Sequence, residues 1–289
     1  MLLNRIVRSD RARIVYSWLT AVPVAGILVQ KLAHLLVPRG RVWVRVPCGM
    51  SAGFWIYADL RSERGYTNGD HEVWLQELLQ SELHPGDCYY DIGAHSGFFS
   101  LVAAYLVGPS GTVLAVEPDP RNAAVIRANI QRNKLRQVMV VEGAVWSESG
   151  FVPFASQSEE LNGTQGHILS RESNMSAPGF MVPAIRLDDL IFHQGRRPPD
   201  LIKMDIEGAE WDALQAAPRL LTEVKPRLFC EVHDSSQMKP IRSYLEQFGY
   251  YVEEWKPVDK HYSDYQQLYL WAKPATKGSA TGRDISLRD

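Results

Sequence analysis

Cysteine, net charge and paired glycines are what this sequence has least of. Three cysteines in 289 residues, Cys48, Cys88 and Cys230, show neither metal-ligand spacing nor the density of a disulfide framework. Cys88 and Cys230 fall inside apolar stretches, where a thiol acts as a small buried hydrophobe. The chain therefore reads as a protein of a reducing, cytoplasmic compartment. The formal net charge is only −2, and it is unevenly spread. Residues 1–46 carry eight Lys and Arg against one acid, Asp10, a net +7, which leaves −9 on the remainder. An acidic body excludes a nucleic-acid groove on the main domain. The apolar run at 14–29 falls short of the about 20 residues a spanning helix needs, and Pro23 and Gly26 interrupt it. Residues 1–40 read as helices docked on the body or lying at a membrane surface. A true span and a signal peptide are the two rivals, although no small-residue cleavage site follows. No internal repeat is present.

What is there is an alternation of strands and helices with 45% hydrophobic content, ample for a buried core. Alternating stretches at 41–46 and 54–58 predict a hairpin. A polar loop at 64–72 leads into a helix at 71–83, with Asn68 or Asp70 as its cap. Strands follow at 88–92, 112–116, 138–142, 201–205, 228–232, 250–255 and 268–272. Helices follow several of them: 98–107, one opened by Asp119 and Pro120, one after Gly208, and one from Pro240 to Gly249. This predicts an α/β fold, a doubly wound, seven-stranded mixed sheet preceded by an N-terminal helical segment and β-hairpin. The domains are 1–40, 41–84, a main domain at 85–274, and a frayed tail at 275–289. Residues 151–185 interrupt the alternation with strand-like pieces around a polar loop, the composition of a lid or specificity loop. Right-handed crossovers bring the carboxyl ends of the first, second, fourth and fifth of the seven strands around one crevice.

The stretch Asp91-Ile-Gly93-Ala94-His95-Ser-Gly97 joins the first of these strands to its helix. Gly93 lets the backbone turn and lie bare for a ligand at the helix start. Glu117 ends the next strand, where a carboxylate accepts both hydroxyls of a ribose. A dinucleotide site would carry G-x-G-x-x-G, and the paired glycines that seat a pyrophosphate are missing. A nucleoside without phosphates fits better, and S-adenosylmethionine is the common one. Asp205, Glu207 and Glu210 cluster after the fourth strand, and at least one of them serves as a helix cap. Glu231 and His233 share a face of the neighbouring strand. Hard carboxylates with one imidazole suit a divalent ion, but no metal site is assigned on that ground alone.

Asp91-Ile-Gly-Ala-His-Ser-Gly-Phe-Phe-Ser, Val116-Glu-Pro-Asp-Pro, Leu187-Asp-Asp-Leu and Ile202-Lys-Met-Asp-Ile-Glu-Gly-Ala-Glu210 together resemble the FkbM family of S-adenosylmethionine-dependent methyltransferases, over roughly residues 41–272. Tyr66, Gly69 and Glu72 sit where that family carries its Tyr…Gly…Glu approach. One departure is His95, which stands where the family usually has Asn; a titratable group there makes cofactor affinity pH-dependent. The resemblance implies a class I, Rossmann-like methyltransferase fold with S-adenosylmethionine as cofactor. Asp91, Gly93, Ala94, His95 and Gly97 would line its amino-acid end, with Tyr66 and Glu72 beside them. Glu117, next to Pro118, would hold the ribose, and Glu142 and Ala144 would flank the adenine. Asp205, Glu207 and His233 are the catalytic candidates, with Glu207 or His233 taking the acceptor's proton and Asp205 shaping the methyl pocket. The resemblance points to O-methylation of a sugar, glycolipid or polyketide-like small molecule; the acidic body argues against a nucleic-acid partner, and the basic apolar residues 1–40, outside the resemblance, suggest peripheral membrane contact. Two rivals stand beside it: a non-catalytic cofactor-binding scaffold at the membrane, and a nicotinamide oxidoreductase, which the missing glycines disfavour. The oligomeric state is not legible.

Overall fold

The computed structural model describes residues 39–155, 167–168, 179–255 and 268–275. The elements in chain order are β1 (Arg41–Arg45), β2 (Trp55–Asp59), α1 (Arg64–Asn68), α2 (Val73–Glu82), β3 (Cys88–Ile92), α3 (Phe98–Val107), β4 (Thr112–Glu117), α4 (Pro120–Asn133), β5 (Val138–Glu142), β6 (Ala144–Val145), β7 (Gly150–Ala155), β8 (His167–Ile168), β9 (Phe180–Ile185), α5 (Leu187–Phe192), β10 (Leu201–Met204), α6 (Glu210–Gln215), β11 (Arg227–Val232), α7 (Met238–Gln247), β12 (Tyr250–Trp255) and β13 (Leu268–Pro274).

Seven strands form one mixed sheet in the order β12-β13-β11-β10-β3-β4-β5. The five from β11 to β5 are parallel, and β13 pairs antiparallel with both β11 and β12. Parallel strands covered on both faces read as continuous apolar runs. All five residues of β3 are buried, as are all four of β10. From β3 the chain winds outward through β4 and β5, then returns to lay β10 on the other side of β3. That reversal opens a crevice at the carboxyl ends of β3 and β10. The seven-stranded α/β expectation is met strand for strand.

The hairpin β1–β2 pairs in register from Arg41 with Asp59 to Arg45 with Trp55. It is fastened to α4 by two asparagines one helical turn apart. Asn129 Oδ1 accepts the Tyr57 N–H at 2.8 Å, and Asn133 Oδ1 accepts the Trp55 N–H at 2.7 Å. Arg132 adds a guanidinium 4.8 Å from the Trp55 ring centre.

Three local expectations change. The polar loop at 64–72 contains the short helix α1. Neither Asn68 nor Asp70 caps α2; its N-cap is Glu72, in a left-handed conformation with φ 39° and no side-chain cap bond. Tertiary contacts on the loop override the local capping preference. The interruption after β5 also contains its own four-stranded sheet, ordered β6-β9-β7-β8, which covers one side of the crevice. Among the described residues no helix is long and apolar enough to cross a membrane. The readings made for residues 1–38, the polar loop after Ala155 and the tail lie outside the described residues.

Candidate active site

The crevice holds a cavity of about 480 Å³, within the roughly 300–1,000 Å³ of small-molecule sites. Its floor starts at Gly93, with φ 80°. A Cβ there would overlap the carbonyl oxygen of Asp205. Glycine is thus required by the close approach of the β3 and β10 ends, which the Asp205 N–H to Ile92 carbonyl bond (3.0 Å) also locks. Gly93 and Ala94 N–H groups both donate to the Val116 carbonyl, at 3.0 and 3.1 Å. The turn is thereby fixed against β4.

Glu117 ends β4 almost fully buried, 4% exposed, yet lines the cavity. Its Oε2 accepts the His95 N–H at 2.8 Å and its Oε1 the Asp119 N–H at 3.0 Å, with Asn122 Nδ2 at 3.4 Å. Burial raises its pKa to about 8, against the lowering effect of those bonds. A carboxylate so held is aimed before any ligand arrives. His95 takes a left-handed φ of 50°, and its ring stands 3.4 Å from the Tyr66 hydroxyl. Burial lowers the His95 pKa, with Glu63 opposing. Burial thus disfavours the charged imidazolium, and the pH dependence expected from its titration moves to the acid side. Tyr66 stacks on Phe98 with centroids 5.1 Å apart. Glu72 lines the same wall, its pKa raised to about 7 by burial and then by Asp205.

Not every expected residue reaches the cavity. Ala94, His95, Pro118 and Ala144 line it, but Asp91 lies beneath it and Gly97 behind. Asp91 accepts the Ser100 hydroxyl at 2.6 Å and lies 3.7 Å from the Lys203 ammonium. Gly97 is pressed against Ile126. Glu142 departs furthest from expectation. Arg127 on α4 draws its carboxylate to 2.8 Å on the outside of the sheet, and it does not line the cavity.

Asp205, Glu207 and His233 do come together. His233 Nε2 lies 3.6 Å from Asp205 Oδ1, 3.3 Å from Glu207 Oε2 and 3.6 Å from Glu231 Oε1. Its Nδ1 sits 2.9 Å from Glu210 Oε1. Glu210, fully buried, also accepts the N–H groups of Ile206 and Gly208. It is the acid that satisfies the turn before α6. Asp205, Glu207 and Glu231 line the cavity, and His233 stands behind them. Burial alone would depress His233, but the Glu210 bond and the surrounding carboxylates raise it to about 9. Burial raises Glu207 to about 7, with His233 opposing. Asp205 runs the other way: the Lys203 ammonium and His233 outweigh burial and hold its carboxyl below the ordinary value.

Lys203 was missed from the sequence. It is buried in β10, 3.1 Å from Asp205 Oδ2 and 3.4 Å from the Gly93 carbonyl, and it lines the cavity. A lysine in an otherwise apolar central strand was the available signal. His71 also lines the wall, its pKa lowered to about 4 by burial and then by Lys203. Nothing in its local sequence distinguishes it from a loop histidine.

Residues 91–252 match the model of the methyltransferase FkbM domain. The chain belongs to the FkbM methyltransferase family. It is 28% identical over 225 residues to the 31-O-demethyl-FK506 methyltransferase FkbM of Streptomyces tacrolimicus, covering 69% of this chain and 81% of that one. To the hexuronic acid methyltransferase AglP of Haloferax volcanii it is 25% identical over 194 residues, 67% and 72% of the two chains. To the 2-O-methyltransferase NoeI of Sinorhizobium fredii it is 27% identical over 177 residues, 56% and 71%. This family member is an S-adenosylmethionine-dependent methyltransferase with a Rossmann-like fold. The crevice suits that cofactor: a bare turn at Gly93, a carboxylate aimed at the end of β4, and no pyrophosphate-binding glycine pair.

Proposed function

We propose that the protein methylates a hydroxyl group of a sugar, glycolipid or polyketide-like small molecule, with Glu207 as the base. The observation that carries the reading is the Glu207 carboxylate on the cavity wall. It is held by a left-handed backbone of φ 54°, and its pKa, raised to about 7 by burial, lies near neutral pH, where a general base works best. Strained backbone at a cavity wall is a mark of function. Two relatives, the 31-O-demethyl-FK506 methyltransferase and the 2-O-methyltransferase, support an oxygen acceptor.

S-adenosylmethionine supplies an activated methyl group when bound. Around it, the chain's own residues bind, orient and move a proton. Glu117 would hold the ribose hydroxyls, and the bare Gly93–His95 turn with Tyr66 and Glu72 would enclose the amino-acid end. Gly143 and Ala144 bound the adenine side. Asp91 supports the turn from below through Ser100 and Lys203, a positioning role. Alignment of acceptor and methyl supplies much of the acceleration, at best about 7–11 kcal/mol. Glu207 accepts the hydroxyl proton, which adds roughly 10²–10⁴-fold, while Asp205 shapes the floor beside it.

His233 is the second reading for the base, favoured by the Glu210 contact that orients its ring; with its pKa raised to about 9 it would take that role only on the alkaline side. Turnover of labelled S-adenosylmethionine against a panel of hydroxylated acceptors and cell extract separates these readings. Glu207→Gln is expected to lose 10²–10⁴-fold in kcat with cofactor affinity unchanged. Full turnover in Glu207→Gln together with loss in His233→Ala moves the role to His233. Cofactor binding with no methyl transfer to any acceptor leaves the scaffold reading.

A further inference from the structure

Asp205 and Glu231 stand too far from His233 Nε2 for hydrogen bonds, at 3.6 Å each, and close enough to it for a shared ligand. Two ligand atoms each about 2.1 Å from one cation stand about 3.0–3.5 Å apart at octahedral or tetrahedral angles. The Nε2 of His233 lies 3.6 Å from both Asp205 Oδ1 and Glu231 Oε1, and the ligand atoms of all three fall within 4.8 Å of one another. The imidazole is also set for ligation. Its Nδ1 meets Glu210 Oε1 at 2.9 Å, and Glu210 is itself fixed by the Ile206 and Gly208 N–H groups. A carboxylate behind a histidine that turns the other ring nitrogen outward is the arrangement of metal-ligating imidazoles.

Glu231 supplies an independent observation. Its side chain is 7% exposed and lines the cavity. Among the described residues its carboxylate accepts no hydrogen bond; the His233 nitrogen stands 3.6 Å away. A buried carboxylate without a partner is costly. Lys203, the nearest lysine, is engaged with Asp205 at 3.1 Å and Asp91 at 3.7 Å. A cation at the convergence of Glu231, Asp205 and His233 would satisfy it.

We propose that Asp205, Glu231 and His233 bind one divalent cation of the Mg²⁺/Mn²⁺ class at the floor of the crevice. Two carboxylates and one imidazole suit such an ion and leave coordination positions open toward the cavity. Glu207, whose Oε2 lies 3.3 Å from the same His233 nitrogen, stands outside this ligand set and keeps the proton-accepting role. The role of the cation, drawing the acceptor hydroxyl toward Glu207, rests on the proposed function; its binding does not.

Titration of the chelator-treated full chain with Mn²⁺, followed by the electron paramagnetic resonance signal of the free ion, tests this. One Mn²⁺ per chain is expected, displaced by excess Mg²⁺. Glu231→Gln and Asp205→Asn should each weaken it at least tenfold, and Glu210→Gln about 10–100-fold, the usual cost of losing an orienting partner. Thermal melts identify any variant that has failed to fold, and the other variants then decide. Absence of stoichiometric binding at about 1 mM Mn²⁺, the weak end of divalent sites, overturns the proposal. Undiminished binding in the folded variants does the same. S-adenosylmethionine is added in a second arm, and both ligands should bind together. Mutual exclusion overturns the metal site, because the carboxylates would then serve the cofactor's own positive charge. Mn²⁺ binding without S-adenosylmethionine binding sinks the proposed function and leaves the metal site standing.

Discussion

At the scale of single residues, the crevice is a set of carboxylates held in unlike electrostatic states. Asp205, beside Lys203, is held ionised, whereas burial lifts Glu207 to about 7. Two acids one residue apart in the loop thereby take different parts, one a fixed charge and the other a proton acceptor. The groups facing Glu207 are His233 and Asp205, with Glu210 and Lys203 further off. As a base Glu207 works only when ionised, so kcat is expected to climb as pH rises through about 7. That acid limb should disappear in the residual activity of Glu207→Gln, and a pH–rate profile checks it. An unchanged limb in the variant assigns the titration to another group. The residue scale is also where the sequence was least legible. Glu117 and the Asp205–Glu210 cluster could be read from their place after strands. Glu142 has the same placement, yet Arg127 pulls it outward, a contact made across 15 positions that no local pattern records.

At the scale of elements, the site exists because β3 and β10 meet at Gly93. Substituting Gly93→Ala puts a methyl group into the Asp205 carbonyl and forces the two strand ends apart. Gly208 has a similar positive φ, 97°, but open space where a Cβ would go. Gly208→Ala should therefore cost only the left-handed backbone penalty, about 1–2 kcal/mol. Gly93→Ala should cost more than about 3 kcal/mol and abolish cofactor binding. Chemical denaturation of the two variants side by side gives the ranking, and equal losses would contradict the close-approach argument. The hairpin offers a second case. Asn129 satisfies the Tyr57 N–H and donates to the Ser96 carbonyl, tying β2 to the turn that carries His95. Asn129→Ala leaves the buried Ser96 carbonyl and the half-buried Tyr57 N–H unpaired, and a loss of about 1–3 kcal/mol is expected in the same assay. Strand and helix periodicity announced nearly every element of the main sheet. The four-stranded side sheet was not announced as a sheet, because β6 and β8 have two residues each and their pairing is entirely tertiary.

For the whole molecule, residues 1–40 carry a net charge of +5 and precede an acidic methyltransferase body of net −7. Residues 1–38 lie outside the described structure, so their role is an expectation from composition alone. A basic, apolar segment of this kind binds anionic lipid surfaces. The full chain should sediment with anionic vesicles, less so at high salt, and a chain lacking residues 1–40 should not. Equal sedimentation of both would remove the membrane reading and leave the acceptor's location open. The family was legible at this scale, since the spacing of Asp91-Ile-Gly-Ala, Val116-Glu-Pro-Asp and the Ile206-Glu-Gly-Ala-Glu run spans the doubly wound core. The acceptor was not, because the residues that choose it come from segments far apart in the chain.

Calorimetric titration of S-adenosylmethionine as a function of pH tests most directly whether Glu117 organises the cofactor site. Burial holds the Glu117 pKa at about 8 in the free protein. Ribose hydroxyls donating to the carboxylate favour its ionised form, so binding should release a proton. Affinity should then rise with pH up to about 8 and level off above it. Glu117→Gln, which removes the charge and keeps the shape, should bind about 10–100-fold more weakly and show a flatter pH dependence. Wild-type affinity in Glu117→Gln, with the same pH dependence, would contradict the placement of the cofactor in this crevice.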